Sequence, residues 1–140
     1  KEGGVVLYDS DHVEPSDELL TKYHHVGVAI TSLTVEAIGG TARDKGKNIF
    51  ALGLIANTFG LDVNKLETLI RERFKGKPDS VVTNALNAFH AGYKHELGNL
   101  LDTFRFVDSE ARTRDQLVMT GNEALGYGII AAGVRFGAGY

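Results

Sequence analysis

The side chains best suited to chemistry in this 140-residue sequence are histidines, lysines and carboxylates. His24 and His25 are adjacent, but neighbours on a strand point to opposite faces and cannot converge on one metal ion. His90 and His95 fall on a predicted helix at a spacing that separates them by more than a quarter turn. We therefore interpret all of these histidines as ordinary polar side chains rather than as metal ligands.

A second candidate is the segment Lys45-Gly46-Lys47-Asn48, which lies just before a predicted helix. Free backbone N–H groups at a helix start, together with two ammonium groups, favour a negatively charged ligand. The segment lacks the glycine spacing of a phosphate-binding loop. Two interpretations stay open, an anion contact and a loop with two solvated lysines, and the second is the simpler.

The third candidate is Gly121-Asn122-Glu123, where backbone donors could face a ligand or simply begin a helix. Thr120 and Glu123 have the spacing of a capping box, in which hydroxyl and carboxylate each accept a backbone N–H. Capping therefore explains Glu123 fully. No local spacing assembles a Ser/His/Asp triad or a carboxylate pair for acid–base work, so these residues by themselves reveal no active site.

Composition excludes several functional classes. The sequence has no cysteine, which excludes thiol catalysis, disulfides and cysteine-ligated zinc or iron–sulfur sites in this chain. The net charge of -3 and the lack of a basic stripe argue against nucleic acid as a partner. The longest apolar run, Ile49 to Ala56, is too short to span a bilayer. We expect a globular cytoplasmic protein and, because the chain starts without Met and stops at an apolar stretch, a piece of a longer polypeptide.

Hydrophobic patterning predicts an α/β fold. The β-branched run Val5 to Tyr8 favours a buried parallel strand, and His25 to Ile30 a second strand. The polar segment Asp11 to Lys22 between them is predicted to be a connection. Thr31-Ser32 is predicted to cap a short helix that ends before Gly39-Gly40.

Longer helices follow. Asn48 is the predicted N-cap of an apolar helix that runs to Phe59 and ends at Gly60. Further helices are predicted over Val63 to Phe74 with Asp62 as cap, over Ser80 to Leu97, and from Gly121 onward. The glycines and alanines of the last helix would let another backbone approach closely. The charged segment between the last two helices is predicted to be a linker.

Two groups of residues form recognisable motifs. The first group comprises Asn48-Ile49-Phe50-Ala51-Leu52-Gly53, Gly60-Leu61, Leu66 to Phe74, Lys75-Gly76-Lys77, Asn84, Ala88-Phe89 and Ala91-Gly92-Tyr93, preceded by the strand in Lys1 to Asp9. The second comprises Thr120-Gly121-Asn122-Glu123-Ala124, Ala131-Ala132-Gly133-Val134-Arg135-Phe136 and Gly139-Tyr140. The first group resembles the carboxyl half of the gamma domain of 2-oxoacid:ferredoxin oxidoreductases, and the second is similar to the beginning of that family's alpha domain, which has the pyrimidine-binding architecture of thiamine enzymes.

The order gamma then alpha implies a fragment of a fused alpha subunit. By this resemblance residues 1–98 are the carboxyl part of the gamma domain, 99–118 a linker and 119–140 the start of the alpha domain. The implied activity is oxidative decarboxylation of a 2-oxoacid, with coenzyme A taking the acyl group and ferredoxin the electrons. The implied partner is a beta subunit that holds thiamine diphosphate and an iron–sulfur cluster, so this chain binds no catalytic cofactor and is inactive alone.

The resemblance carries no catalytic residue onto this sequence. It implies structural roles for Asn48, Gly53, Gly121, Asn122 and Glu123, and a position near coenzyme A for the segment from Lys45 to Asn48. Because the first strands of the gamma sheet are absent, we expect exposed apolar edges and weak stability in isolation. The alternative interpretation is a non-catalytic helical module that binds a partner protein through its apolar faces.

Overall fold

A computed structural model describes residues 3–41, 46–98 and 117–137. The chain divides into two compact units, Lys1–Phe106 and Val107–Tyr140. The first unit contains two strands and five helices within its described residues, and the second contains one helix. In chain order they are β1 Val5–Asp9, α1 Asp17–Lys22, β2 His24–Val28, α2 Ile30–Ile38, α3 Lys47–Thr58, α4 Val63–Arg73, α5 Asp79–Lys94 and α6 Gly121–Ala131. This content confirms the predicted α/β class.

The sheet consists of β1 and β2, which pair in parallel with Val5 opposite His24 and Asp9 opposite Val28. The predicted parallel strand is thus confirmed, but its predicted burial is wrong. Val6 and Leu7 are each 38% exposed. They lie on opposite faces of a strand that has a single neighbour among the described residues, so neither face of β1 is fully covered.

The region between the strands differs from its prediction. Asp17–Lys22 forms the short helix α1 instead of an irregular connection. Ser16 occupies its N-cap position, acidic residues fill its first turn and Lys22 lies in its last turn, which is the charge order that a helix dipole favours. The six-residue length hid this helix from a periodicity argument.

The start of α2 also corrects the prediction. The second strand ends at Val28 rather than Ile30, and the N-cap of α2 is Ala29, without a side-chain cap of its own. Thr31 and Ser32 are helical residues rather than caps. The helix ends as predicted, because Gly39 takes a left-handed conformation with φ 67°.

The N-cap of α3 lies two residues earlier than predicted. Gly46 is its N-cap and makes no side-chain cap bond, so the predicted capping role of Asn48 is wrong. The predicted left-handed residue at the other end is confirmed, since Gly60 has φ 60°. Phe50, Gly53, Leu54 and Ala56 are buried along this helix.

The next two helices pack with α3 around the main core. The predicted cap of α4 is confirmed, because the Asp62 carboxylate accepts the Lys65 backbone N–H at 3.0 Å. The helix α5 ends at Lys94 rather than Leu97. The core cluster consists of Ala56, Ile70, Ala85, Leu86 and Phe89. A second cluster of Val28, Phe50 and Leu54 joins the sheet to α3.

The second unit is described through α6. Its predicted start at Gly121 and its capping box are both confirmed. The predicted linker lies outside the described residues except for Leu117 and Val118, as do Gly139 and Tyr140 of the alpha-domain resemblance. None of the helices that the structure describes is long and apolar enough to cross a membrane.

Candidate functional site

Polar side chains from two elements meet where β1 ends and α2 begins. The Thr31 hydroxyl donates to Asp9 Oδ2 at 2.6 Å, and the Thr31 backbone N–H lies 3.4 Å from Asp9 Oδ1. The Ser32 backbone N–H donates to Asp11 Oδ2 at 2.7 Å, and its hydroxyl donates to Asp11 Oδ1 at 2.9 Å. Two carboxylates from the β1 end thus cap a helix that has no capping side chain of its own.

Electrostatics favours the ionised form of Asp9. Partial burial acts to raise the pKa of Asp9, but hydrogen bonds from the Thr31 side chain and from the Asp11 and Thr31 backbones, together with nearby His12, outweigh it. The net effect lowers the pKa below the ordinary 3.8. At neutral pH the carboxylate therefore meets the positive end of the α2 dipole.

This cluster has a structural consequence for ligand binding. The carboxyl end of parallel strands, next to a helix start, is where α/β folds commonly place anionic ligands. Here the Asp9 and Asp11 carboxylates already accept hydrogen bonds from the Thr31 and Ser32 backbone N–H groups. The start of α2 is thus satisfied from within the chain.

The start of α3 is differently arranged. Its first internal hydrogen bonds run from the backbone N–H groups of Ile49 and Phe50 to Gly46 O, both at 2.9 Å. The N–H groups of Lys47 and Asn48 precede those bonds, as at any helix start. The Lys47 side chain is half-buried and Asn48 is exposed, whereas Lys45 lies outside the described residues.

Gly53 lies where α3 crosses α5. A Cβ at Gly53 would lie 2.2 Å from Phe89 O and 2.6 Å from Tyr93 N, and a Cβ at Gly92 would lie 2.0 Å from Phe50 O. Two glycines facing each other thus let the backbones of the two helices touch. This contact fixes the start of α3 against α5 because no side chain separates them.

Gly121, Asn122 and Glu123 form the first turn of α6. The Thr120 hydroxyl accepts the Glu123 backbone N–H at 3.3 Å, and Glu123 Oε2 accepts the Thr120 N–H at 2.7 Å. Hydrogen bonds from the Thr120 backbone and hydroxyl hold the pKa of Glu123 below its usual value. Gly121 and Asn122 are exposed within this turn. The structure thus gives Glu123 a capping position.

The histidines are dispersed over the first unit. His90 Nε2 lies 3.2 Å from Glu67 Oε1 and so links α5 to α4. The imidazole of His25 contacts Leu19 O through Nε2 at 2.9 Å, while His24 is exposed. His95 lies beside Phe50, with ring centroids 6.3 Å apart. Within residues 3–41, 46–98 and 117–137, no group of three or more metal-ligating side chains comes together.

An open cleft of about 350 Å³ lies between α2, α3 and α5. Its walls combine apolar side chains with one carboxylate and one imidazole. The lining residues are Leu33, Glu36, Ala37, Phe50, Ala91 and His95. Phe50 belongs to the first turn of α3, so the cleft adjoins the helix start that carries Lys47.

Comparison with known proteins identifies the family of this chain. The sequence profile of pyruvate ferredoxin/flavodoxin oxidoreductases matches residues 1–95. The chain belongs to this family.

Individual relatives extend the similarity beyond that match. The 2-oxoglutarate oxidoreductase subunit KorA of Mycobacterium tuberculosis (strain ATCC 25618 / H37Rv) is 34% identical over 155 residues, covering 94% of this chain. The solved 2-oxoglutarate:ferredoxin oxidoreductase from Magnetococcus marinus, with 2-oxoglutarate, coenzyme A and succinyl-CoA bound, superposes on 95% of this chain with a TM-score of 0.68 and 25% identity. This chain spans 23% of the length of each.

Sequence reasoning missed the carboxylate caps of α2. No capping role was predicted for Asp9 or Asp11. A signal was present, since two carboxylates follow one strand and two hydroxyl residues, Thr31 and Ser32, follow the next. Parallel pairing brings those two strand ends to the same edge of the sheet.

Proposed function

We propose that this chain is part of the fused gamma and alpha subunit of a 2-oxoacid:ferredoxin oxidoreductase. The similarity to KorA carries the proposal, because it spans both compact units rather than the first alone. In this assignment the first unit is the carboxyl part of the gamma domain and α6 opens the alpha domain. The complex of the complete polypeptide with its partner subunit oxidatively decarboxylates a 2-oxoacid to an acyl-CoA and passes electrons to ferredoxin.

Catalytic cofactors belong, in this proposal, to a partner beta subunit that holds thiamine diphosphate and an iron–sulfur cluster. A sequence without cysteine offers no thiolate ligand for a cluster. In the part of the chain that the structure describes, no group of three or more His, Asp or Glu side chains comes together to hold a metal ion. We assign no catalytic step to residues of this chain.

The start of α3 is the proposed contact for coenzyme A. Support comes from the two N–H groups that precede the first helical hydrogen bonds, from the Lys47 ammonium, and from the adjoining cleft. Coenzyme A is bound in the Magnetococcus marinus enzyme named above. Phosphate groups carry the charge that such a helix start favours.

The assignment is tested with the longer polypeptide co-purified with the product of the neighbouring gene. Coenzyme A-dependent reduction of a viologen dye, measured across several 2-oxoacids, is the expected activity. A matched reaction without coenzyme A gives the background. If the complex carries its cofactors and none of the 2-oxoacids supports dye reduction, the assignment is rejected and a non-catalytic interaction module is favoured.

A separate kinetic test addresses the coenzyme A contact. Lys47→Ala should raise the KM for coenzyme A roughly tenfold while kcat changes little, because a charge-assisted contact to a phosphate is lost. Asn48→Ala should have a smaller effect in the same direction. Lys65→Ala, an exposed lysine on α4, serves as the control. An unchanged KM in Lys47→Ala would remove this segment from the coenzyme A site.

A further inference from the structure

Gly46, the N-cap residue of α3, lies in a corner between two other helices. A Cβ at this position would lie 2.9 Å from Thr34 Cγ2 on α2. It would also lie 3.8 Å from Ala88 Cβ on α5 and 3.9 Å from Ile38 Cδ1 on α2. The φ of Gly46 is 178°, outside the left-handed region that favours glycine. The missing side chain therefore serves packing rather than backbone conformation, and the closest of these three atoms belongs to the Thr34 methyl group.

The Thr34 side chain has little freedom to make room for a larger residue at position 46. Thr34 is only 1% exposed, and its hydroxyl donates to Ile30 O at 2.6 Å. Rotation about its Cα–Cβ bond would move the methyl group away from Gly46, but it would also take the buried hydroxyl away from its acceptor. A β-branched side chain in a helix has few other rotamers. The methyl group therefore limits how closely the backbone at Gly46 approaches α2.

The position of Gly46 sets the position of the first turn of α3. Gly46 O accepts the backbone N–H groups of Ile49 and Phe50, both at 2.9 Å. Lys47 and Asn48, which carry the coenzyme A contact proposed above, follow Gly46 directly in the chain. A displacement of Gly46 thus moves all groups of that contact together. Hydrogen bonds weaken steeply when their length or angle departs from the optimum, so such a displacement weakens the binding of a phosphate.

We propose that Thr34 is a positioning residue for coenzyme A, because its methyl group packs against Gly46 and thereby sets where the first turn of α3 presents its donors. The inference rests on the coenzyme A contact of the proposed function. It adds a residue of a different helix, α2, which acts through the backbone of Gly46 and makes no ligand contact of its own.

The test uses the longer polypeptide in complex with its partner subunit and measures the KM for coenzyme A. Gly46→Ala should raise this KM roughly tenfold, as far as Lys47→Ala does, while kcat changes little. Adding Thr34→Ser should return the KM to within about threefold of its original value. Serine keeps the hydroxyl bond to Ile30 O and lacks the methyl group that the new Cβ meets. The double variant thus moves one methyl group between two touching positions at nearly constant volume.

A matched control shows whether the restoration depends on the Thr34 methyl group. Thr58, the last residue of α3, also donates its hydroxyl to the carbonyl four residues earlier, Leu54 O at 2.8 Å. Thr58→Ser removes a methyl group at the opposite end of α3 from Gly46. We therefore expect it to leave the KM of the Gly46→Ala variant raised.

Hydrogen exchange follows the same contact without coenzyme A. The Ile49 and Phe50 amides, which donate to Gly46 O, should exchange faster in Gly46→Ala. Adding Thr34→Ser should slow them again. Unchanged exchange in Gly46→Ala would overturn the proposal, because it would mean that the α3 start accommodates the added methyl group.

Two kinetic outcomes would also overturn the proposal. In one, Gly46→Ala leaves the KM for coenzyme A unchanged although Lys47→Ala raises it, which keeps the coenzyme A contact and rejects only the positioning role. In the other, Thr34→Ser lowers the KM of Gly46→Ala no further than Thr58→Ser does. An unchanged KM in Lys47→Ala is a different result, since it rejects the coenzyme A contact of the proposed function itself.

Discussion

At the scale of single residues, Asp9 and Asp11 hold together the strand end and the helix start that define this part of the sheet. Each carboxylate accepts hydrogen bonds from a side chain and a backbone of α2. Hydrogen bonds to an ionised group are stronger than those between neutral groups. The first turn of α2 therefore depends on residues more than twenty positions earlier in the chain.

Replacing Asp9 with Asn should destabilise α2 at neutral pH. We expect the local opening free energy of its first turn to fall by roughly 1–2 kcal/mol, because the bonds to Thr31 lose their charged acceptor. Hydrogen exchange of the Leu33 and Thr34 amides measures this change. Glu36→Gln, on the exposed side of the same helix, should leave it unaltered.

The same substitution has a defined pH dependence. The pKa of Asp9 is lowered in the folded protein, so its stabilising effect is complete above the unfolded value near 3.8 and is lost as pH falls through the lower folded value. The difference in the opening free energy of α2 between the protein and its Asp9→Asn variant should therefore shrink as pH falls through the folded pKa of Asp9. A difference that stays constant there would show that the charge of Asp9 is not what stabilises α2.

At the scale of elements, the contact between α3 and α5 depends on the absence of side chains. Gly53 and Gly92 each leave room for a backbone carbonyl of the other helix. Phe50, Leu54 and Phe89, all buried, surround this crossing. The glycines cost helix propensity at each position, and the close packing of these large residues offsets that cost.

Gly53→Ala tests this crossing. A Cβ only 2.2 Å from Phe89 O forces the helices apart, because a backbone atom cannot rotate away as a side chain can. We expect a loss of roughly 1–3 kcal/mol from overpacking, seen as faster hydrogen exchange in α3 and α5 and a lower soluble yield. Asn57→Ala, exposed on the same helix, should be neutral or slightly stabilising.

Local sequence signals located most of these elements but not their ends. Asp62 and the Thr120–Glu123 box were predictable because a cap and its helix are adjacent in sequence. The α2 caps were not, because Asp9 reaches Thr31 only after the strands pair. Asn48 was wrongly predicted as a cap because residue type favoured it, whereas the chain begins the helix from Gly46. The sequence thus predicted which segment carries the candidate site, but not how the groups of that segment are arranged.

At the scale of the whole molecule, the two kinds of similarity cover different parts of the two compact units. The family profile matches residues 1–95, which lie within the first unit, while the similarity to KorA covers 94% of the chain. The first unit carries a parallel sheet of only two strands in its described residues. A parallel sheet of that size rarely supplies enough buried surface to be stable by itself.

The 140-residue chain alone should therefore associate with itself. We expect its apparent mass in light scattering to rise with concentration, because β1 offers unpaired backbone groups flanked by the exposed Val6 and Leu7. Leu7→Lys should reduce this association, since a charge on an edge strand opposes pairing. Leu69→Lys, at a residue 49% exposed on α4, introduces the same charge away from the edge and should have less effect. A monomer that unfolds in one sharp, reversible transition would contradict this prediction, because it would mean that two strands and their helices already form a self-sufficient core.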